Sequence, residues 1–191
     1  MAVTMAEISK LRQMTGAGMM DCKKALTEAE NDMDKAIEIL RKKGQAVAAK
    51  REDRNAAEGR VLGQSVGEYA AVVALNCETE FVPKNAGFVG LTKSILAAAV
   101  EAKAKSIEDV KGLEINGQKI ADLIVEESGK TGEKMELGAF EYVEAPATIA
   151  YNHFGNKLAT LVAFNKAGIA EQVYKNVAMQ VAAMNPLAVD E

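Results

Sequence analysis

Tryptophan is missing from this sequence, histidine occurs once, cysteine twice and proline three times, and aromatic residues make up only 5%. Each scarcity closes off a class of protein. With His153 as the one histidine, a zinc site would have to combine two distant cysteines, that imidazole and a carboxylate, without any close ligand-pair spacing. Cys22 and Cys77 lie far apart in a chain without a secretion pattern, which suits reduced thiols rather than a disulfide framework. No uninterrupted aliphatic run is longer than residues 95–100, far short of the ~20 residues a membrane helix needs. The N-terminus carries no basic segment followed by an apolar block, so a cytoplasmic protein without a membrane role is expected. Net charge is −4 with a pI near 5.3, against the basic excess of a nucleic-acid surface, although Lys23-Lys24, Arg41-Lys42-Lys43 and Lys50-Arg51 form local basic patches. No phosphate-cradling loop is present: Thr15-Gly16-Ala17-Gly18 follows no strand and lacks the lysine spacing. No cofactor and no metal are expected.

What is present is core material. The 191 residues are 49% hydrophobic and 26% charged, ordinary for one or two globular domains. Thr4-Met5-Ala6-Glu7 has capping-box form, and Met5, Ile8 and Leu11 recur at helical spacing until Thr15-Gly16. A second helix is predicted over 19–30 with Met19, Cys22, Leu26 and Ala29 facing inward, and a third from an Asp32 cap to a stop at Gly44. Residues 45–58, rich in Ala, Lys, Arg and Glu, read as a solvated helical linker. From Gly59 the apolar period shortens toward two: 60–66 and 69–76 predict a hairpin turning near Gly67, followed by a helix over 86–104. The same order returns as strands 148–154 and 158–165 about Gly155-Asn156, then a helix over 170–184. Between the copies, 107–127 holds two helices broken at Asn116-Gly117, and 134–144 alternates as a strand. The expected fold is α+β: a three-helix module with its linker at 1–55, then a duplicated core of antiparallel strands packed with helices, divided into 56–145 and an incomplete 146–191.

Chemistry-bearing residues are few. Phe81 sits between acidic residues directly before Val82-Pro83, where a ring either staples the helix capped by Asn85 or is presented outward to another molecule. Met19 and Met20 are adjacent on a short helix, so both cannot face the core, and an exposed Met is an adaptable apolar contact. Arg12 and Lys23 lie on neighbouring helical surfaces, and His153 at the tip of the second hairpin. A Cys77–His153 nucleophilic pair lacks an orienting partner and an oxyanion element, leaving no catalytic group. Several separated contact points suit a protein partner better than a small ligand.

The stretch Leu11-Arg12-Gln13-Met14-Thr15-Gly16-Ala17-Gly18-Met19-Met20-Asp21-Cys22-Lys23-Lys24-Ala25-Leu26 resembles the opening signature of the elongation factor Ts family, and Asn76-Cys77-Glu78-Thr79-Glu80-Phe81-Val82 resembles its second signature. Ala56-Ala57-Glu58-Gly59 and the run from Ala178 through Pro186 are similar to further family segments, so the resemblance covers essentially the whole chain. It implies an N-terminal module like a ubiquitin-associated domain, two related core subdomains, and a guanine-nucleotide exchange factor that binds elongation factor Tu, GDP-bound and nucleotide-free, without bond chemistry. On matching positions it implies that Arg12, Met19, Met20 and Lys23 contact a helix of the partner's nucleotide-binding domain. Thr79, Glu80, Phe81 and Val82 would form the tip pressed beside the partner's magnesium and phosphate site, His153 would meet the partner's third domain, and Thr131-Gly132 another contact. This sequence departs from the family pattern at Glu80, where Asp is common, a reach longer by about 1.5 Å. It departs again at Pro83, where a small residue is usual. Family members continue through a dimerisation hairpin and further modules, so weaker partner binding is expected here, and the oligomeric state stays open, a homodimer included. A different reading of the same residues is a non-catalytic adaptor working through the three-helix module.

Overall fold

A computed structural model of the chain describes residues 3–188. The outer ends of the 1–55 and 146–191 segments therefore lie outside the described residues. In chain order the elements are α1 (Met5–Thr15), α2 (Met19–Glu28), α3 (Met33–Lys50), β1 (Glu58–Val66), β2 (Tyr69–Cys77), a 3-10 turn at Val82–Lys84, α4 (Ala86–Glu101), α5 (Ile107–Gly112), β3 (Glu114–Ile115) and β4 (Gln118–Lys119). They continue as α6 (Ile120–Thr131), β5 (Met135–Glu144), β6 (Ala147–Asn152), β7 (Ala159–Phe164) and α7 (Glu171–Met184). Mixed helices and antiparallel hairpins make the class α+β. Contacts group Met1–Asn55 with Asp122–Met135 as one compact unit and Ala56–Ala121 with Glu136–Glu191 as a second.

In the first unit the helix ends follow the local chemistry. The Thr4 hydroxyl accepts the Glu7 N–H at 3.3 Å while the Glu7 carboxylate accepts the Thr4 N–H at 2.8 Å, completing the capping box that opens α1. Gly16 closes it at φ 70°, donating its N–H to Arg12. Asp32 caps α3 by accepting from Asp34 and Lys35. Ile8, Leu11, Cys22, Ala25, Leu26, Ala29 and Ala36 form a small buried core, with Ile37 and Leu40 packed against it.

Three sequence expectations are corrected here. Helix α2 stops at Glu28, because Glu30 and Asn31 turn into the left-handed region at φ 53° and 67°. Met19, expected to face inward, is 46% exposed. Gly44 is no stop: α3 continues through it to Lys50, and residues 51–57, expected as helical linker, form turn and coil. Gly44 serves packing instead. A Cβ on Gly129 of α6 would lie 2.3 Å from the Gly44 Cα, so two glycines let these backbones touch.

In the second unit β1 and β2 pair antiparallel from Glu58↔Cys77 to Val66↔Tyr69 around a two-residue turn with Gly67 at φ 60°. Strand β2 lies between β1 and β5, and Val73, Leu75 and Cys77 are buried, as are Phe88, Ile95 and Ala99 of α4. The repeat predicted from sequence is visible in β6, β7 and α7, where Tyr174 and Ala178 bury against Ile149 and the Phe164 and Tyr174 rings lie 4.5 Å apart. Asn116-Gly117, read only as a helix break, makes the turn of the β3–β4 hairpin.

Candidate functional site

The Phe81 turn begins where β2 ends. Cys77 is buried and its Sγ donates to the Thr79 carbonyl at 3.3 Å, folding the chain back on itself. Lys84 N–H then donates to Phe81 O at 3.2 Å and Asn85 N–H to Val82 O at 2.9 Å, which makes the 3-10 turn. Pro83 is buried within it. The Asn85 side chain accepts from Gly87 at 2.8 Å and so starts α4. The backbone on both sides of Phe81 is thus tied to rigid elements while the ring itself is 72% exposed. Of the two readings left open by the sequence, the staple is excluded: a ring packed on the helix start would be covered. Glu80 is exposed, and Thr79 and Val82 flank the tip, Val82 half-buried. The Glu80 carboxylate meets Lys84 Nζ at 3.3 Å, and that ammonium lies 5.7 Å from the Phe81 ring centroid. Both partners of the ion pair are exposed, so it is worth little and is easily exchanged for another partner.

The second hairpin presents another fixed turn in the same unit. His153 N–H donates to Leu158 O at 2.9 Å and Asn156 N–H to His153 O at 3.0 Å, with Gly155 and Asn156 at φ 84° and 53°. His153 is exposed, its Nδ1 3.0 Å from the Tyr151 hydroxyl. The next residue, Phe154, is 97% exposed, a feature that the sequence did not single out. Strand β1 holds this turn: Val61 N–H donates to Asn156 O at 2.7 Å, and Lys157 pairs with Glu58 at 2.7 Å. The bond to Glu58 and the charge of that carboxylate raise the Lys157 pKa.

The first unit holds the other candidates. Arg12 is exposed on α1, Lys23 on α2, and Met20 is 63% exposed beside the half-exposed Met19. Gly18 starts α2 without a side-chain cap, so both methionines sit in an uncovered first turn. Asp21 is paired with Lys43 of α3. Thr131 and Gly132 end α6: the Thr131 hydroxyl donates to Glu127 O at 3.0 Å, and Gly132 at φ 74° donates its N–H to Ser128 at 2.8 Å. The neighbouring Lys130 side chain lies over Gly16, bringing the end of α6 to the end of α1. Arg12, Met19, Met20, Lys23, Thr131 and Gly132 therefore share one unit, and Thr79, Glu80, Phe81, Val82 and His153 the other.

Both cysteines are buried free thiols. Cys22 is buried, and burial pushes its thiol pKa up. Cys77, buried with its Sγ turned to a backbone carbonyl, is not placed to attack a substrate. Among the described residues no three His, Cys, Asp or Glu side chains converge as metal ligands, and no helix is long and apolar enough to cross a membrane. A depression of about 380 Å³ is lined by Glu68, Tyr69, Lys103, Glu144, Ala145 and Pro146, a wall of mixed charged and apolar side chains.

Residues 78–191 match the family model described as Elongation factor TS, a match that begins at the Phe81 turn and runs through the second hairpin. A protein named Elongation factor Ts from Bacteroides thetaiotaomicron is 59% identical over 100% of this chain and 58% of its own length. One of that name from Porphyromonas gingivalis is 57% identical over 99% of the chain and 69% of its own length. A third, from Azobacteroides pseudotrichonymphae, is 53% identical over 100% of the chain and 70% of its own length. The chain thus spans 58% to 70% of the length of these relatives. A model match over more than half of the chain, and identities above 50% that extend through the Met19–Met20 helix, say the same thing: this chain belongs to the elongation factor Ts family.

Proposed function

We propose that this protein is a guanine-nucleotide exchange factor that binds elongation factor Tu and promotes GDP release during translation elongation, working in the cytoplasm without bond chemistry. The observation that carries the reading is Phe81: a bare aromatic ring, 72% exposed, on a turn whose backbone is fixed on both sides. Beyond the contact with the exposed Lys84, presenting such a ring to water gains little within the subunit, whereas an aromatic anchor already held in place loses little entropy on docking. A GTPase holds GDP through magnesium and many charge-assisted phosphate contacts that must break together. A ring and a carboxylate driven in beside them lower the barrier to release. Glu80, held only by an exposed lysine, is free to change partners. Arg12, Met19, Met20 and Lys23, with Thr131 and Gly132, supply contacts from the first unit, and His153 from the second hairpin. Coupling is reciprocal: the factor by which the chain weakens nucleotide binding is the factor by which nucleotide weakens the chain's binding, so incoming GTP ejects it.

The test is elongation factor Tu loaded with fluorescent GDP and chased with unlabelled nucleotide. Acceleration of release by sub-stoichiometric amounts of the chain is the expected result. Stoichiometric binding that leaves the release rate unchanged would replace exchange with an adaptor role.

A further inference from the structure

We infer that Arg60 is a positioning residue for the exchange activity proposed above, a strut from β1 that sets where the Phe81 turn stands; the inference rests on that activity. The turn itself creates the need. Its ladder runs Lys84 N–H to Phe81 O and Asn85 N–H to Val82 O, and then Asn85 turns extended at φ −69°, ψ 135°. The Pro83 carbonyl, next in the series, is left without a backbone donor at the end of the turn. Arg60 supplies one: its terminal guanidinium nitrogen donates to Pro83 O at 3.2 Å across 23 residues of sequence. The bond ties the turn to a strand rather than to its own flanks. In β1 Arg60 is in register with the buried Leu75, so the base of the strut is held by the hairpin.

A second observation shows that the guanidinium is held there at a cost. Its buried Nε has no hydrogen-bond partner among the described residues, an arrangement that Met or Leu at this position would avoid while filling similar volume. Arg tolerates it because one fork of the group reaches a carbonyl that nothing else serves. The turn also carries cation–π and ion-pair contacts from Lys84, which lies on its exposed side. Arg60 is its anchor on the half-buried side. Without it, the turn retains its flanking caps but gains freedom to rock, and Phe81 moves with it. Displacements of about 1 Å at a positioned group cost up to about a hundredfold in rate elsewhere, so a tenfold effect is expected here.

The test compares the whole chain with its Arg60→Met and Arg60→Lys variants. In the GDP-release assay, Arg60→Met is expected to lower the maximal rate at saturating factor about tenfold. The half-saturating concentration should change less than about threefold, with Arg60→Lys recovering most of the loss because an ammonium still reaches the carbonyl. Hydrogen exchange at the Lys84 and Asn85 amides, read without any partner, should quicken about tenfold in Arg60→Met and stay near the parent rate in Arg60→Lys. Unchanged amide exchange overturns the strut whatever the nucleotide assay gives. Quickened amides with an undiminished maximal rate overturn its role in exchange. Should the parent chain itself leave GDP release unaltered, the proposed function fails, and the amides still decide whether Arg60 holds the turn.

Discussion

Asn152 grips Gly63 on both backbone groups: its side-chain oxygen accepts the Gly63 N–H at 2.7 Å, and its amide nitrogen donates to the Gly63 carbonyl at 2.9 Å. Strand β1 is an edge of its sheet, so this residue and the Asn156 carbonyl on Val61 cover polar groups that would otherwise be open to another strand. A Cβ on Gly63 would come within 3.3 Å of Ala150 Cβ and 3.4 Å of Leu161, a tight fit to the second hairpin. Asn152→Ala removes both bonds at once. It should cost about 1–2 kcal/mol in urea unfolding, with the His153 turn loosened. A loss too small to resolve, with the His153 and Asn156 amides as protected as before, would show that the grip is incidental.

Phe81 should separate function from stability. Its ring is exposed, so Phe81→Ala removes almost no buried surface and the unfolding temperature should move by no more than a degree or two. In the proposed exchange function the same change takes away an anchor worth ~2 kcal/mol or more, so GDP release from elongation factor Tu should slow at least about tenfold. A variant that stimulates release as well as its parent would remove this ring from the mechanism.

What the sequence made legible was local. Capping residues, the turn at Gly67 and the hairpin–helix repeat are written in neighbours within four or five positions, and they stand as read. Exposure of Phe81 could be suspected from its place between Glu80 and Val82-Pro83. Arg60 could not be linked to Pro83, because only the return of the chain beside β1 brings them together. Phe154 could not be singled out, because an aromatic beside a Gly-Asn turn reads the same whether packed or bare, although it is the more exposed of the two rings. Gly44 was misread for the same reason: as a residue type it marks helix ends, and only its contact with Gly129 reveals the other use of a missing side chain.

That contact yields a paired prediction. Gly129→Ala would place a Cβ 2.3 Å from the Gly44 Cα, backbone against backbone, so α3 and α6 must separate. The expected loss is about 1–3 kcal/mol, seen as a lower urea midpoint. Gly90 of α4 offers the opposite case, with nothing within 4 Å of the point where an added Cβ would stand. Gly90→Ala should stabilise by about 0.5–1 kcal/mol through helix propensity alone. Equal effects of the two substitutions would mean that helix propensity, and not the crossing, dominates at Gly129.

Tyr69 sets the response to alkali. Its hydroxyl donates to Ala104 O at 2.6 Å inside the core, and its pKa is pushed up from 10 to about 12, first by burial and then by electrostatic interaction with Glu144 and with Tyr142. The sign follows from which state loses its proton first. Below pH 10 both states hold it and the contribution is complete; between pH 10 and about 12 the unfolded chain ionises while the folded one does not, and stability drains away as pH rises through the folded value. Tyr69→Phe deletes this titration and leaves the Ala104 carbonyl unserved, at a cost of about 1–2 kcal/mol at neutral pH. The variant should therefore begin less stable and lose less across the alkaline range, so that the gap between the two urea midpoints narrows as pH rises. Curves that stay parallel through that range would show that the phenol is not held protonated by its surroundings.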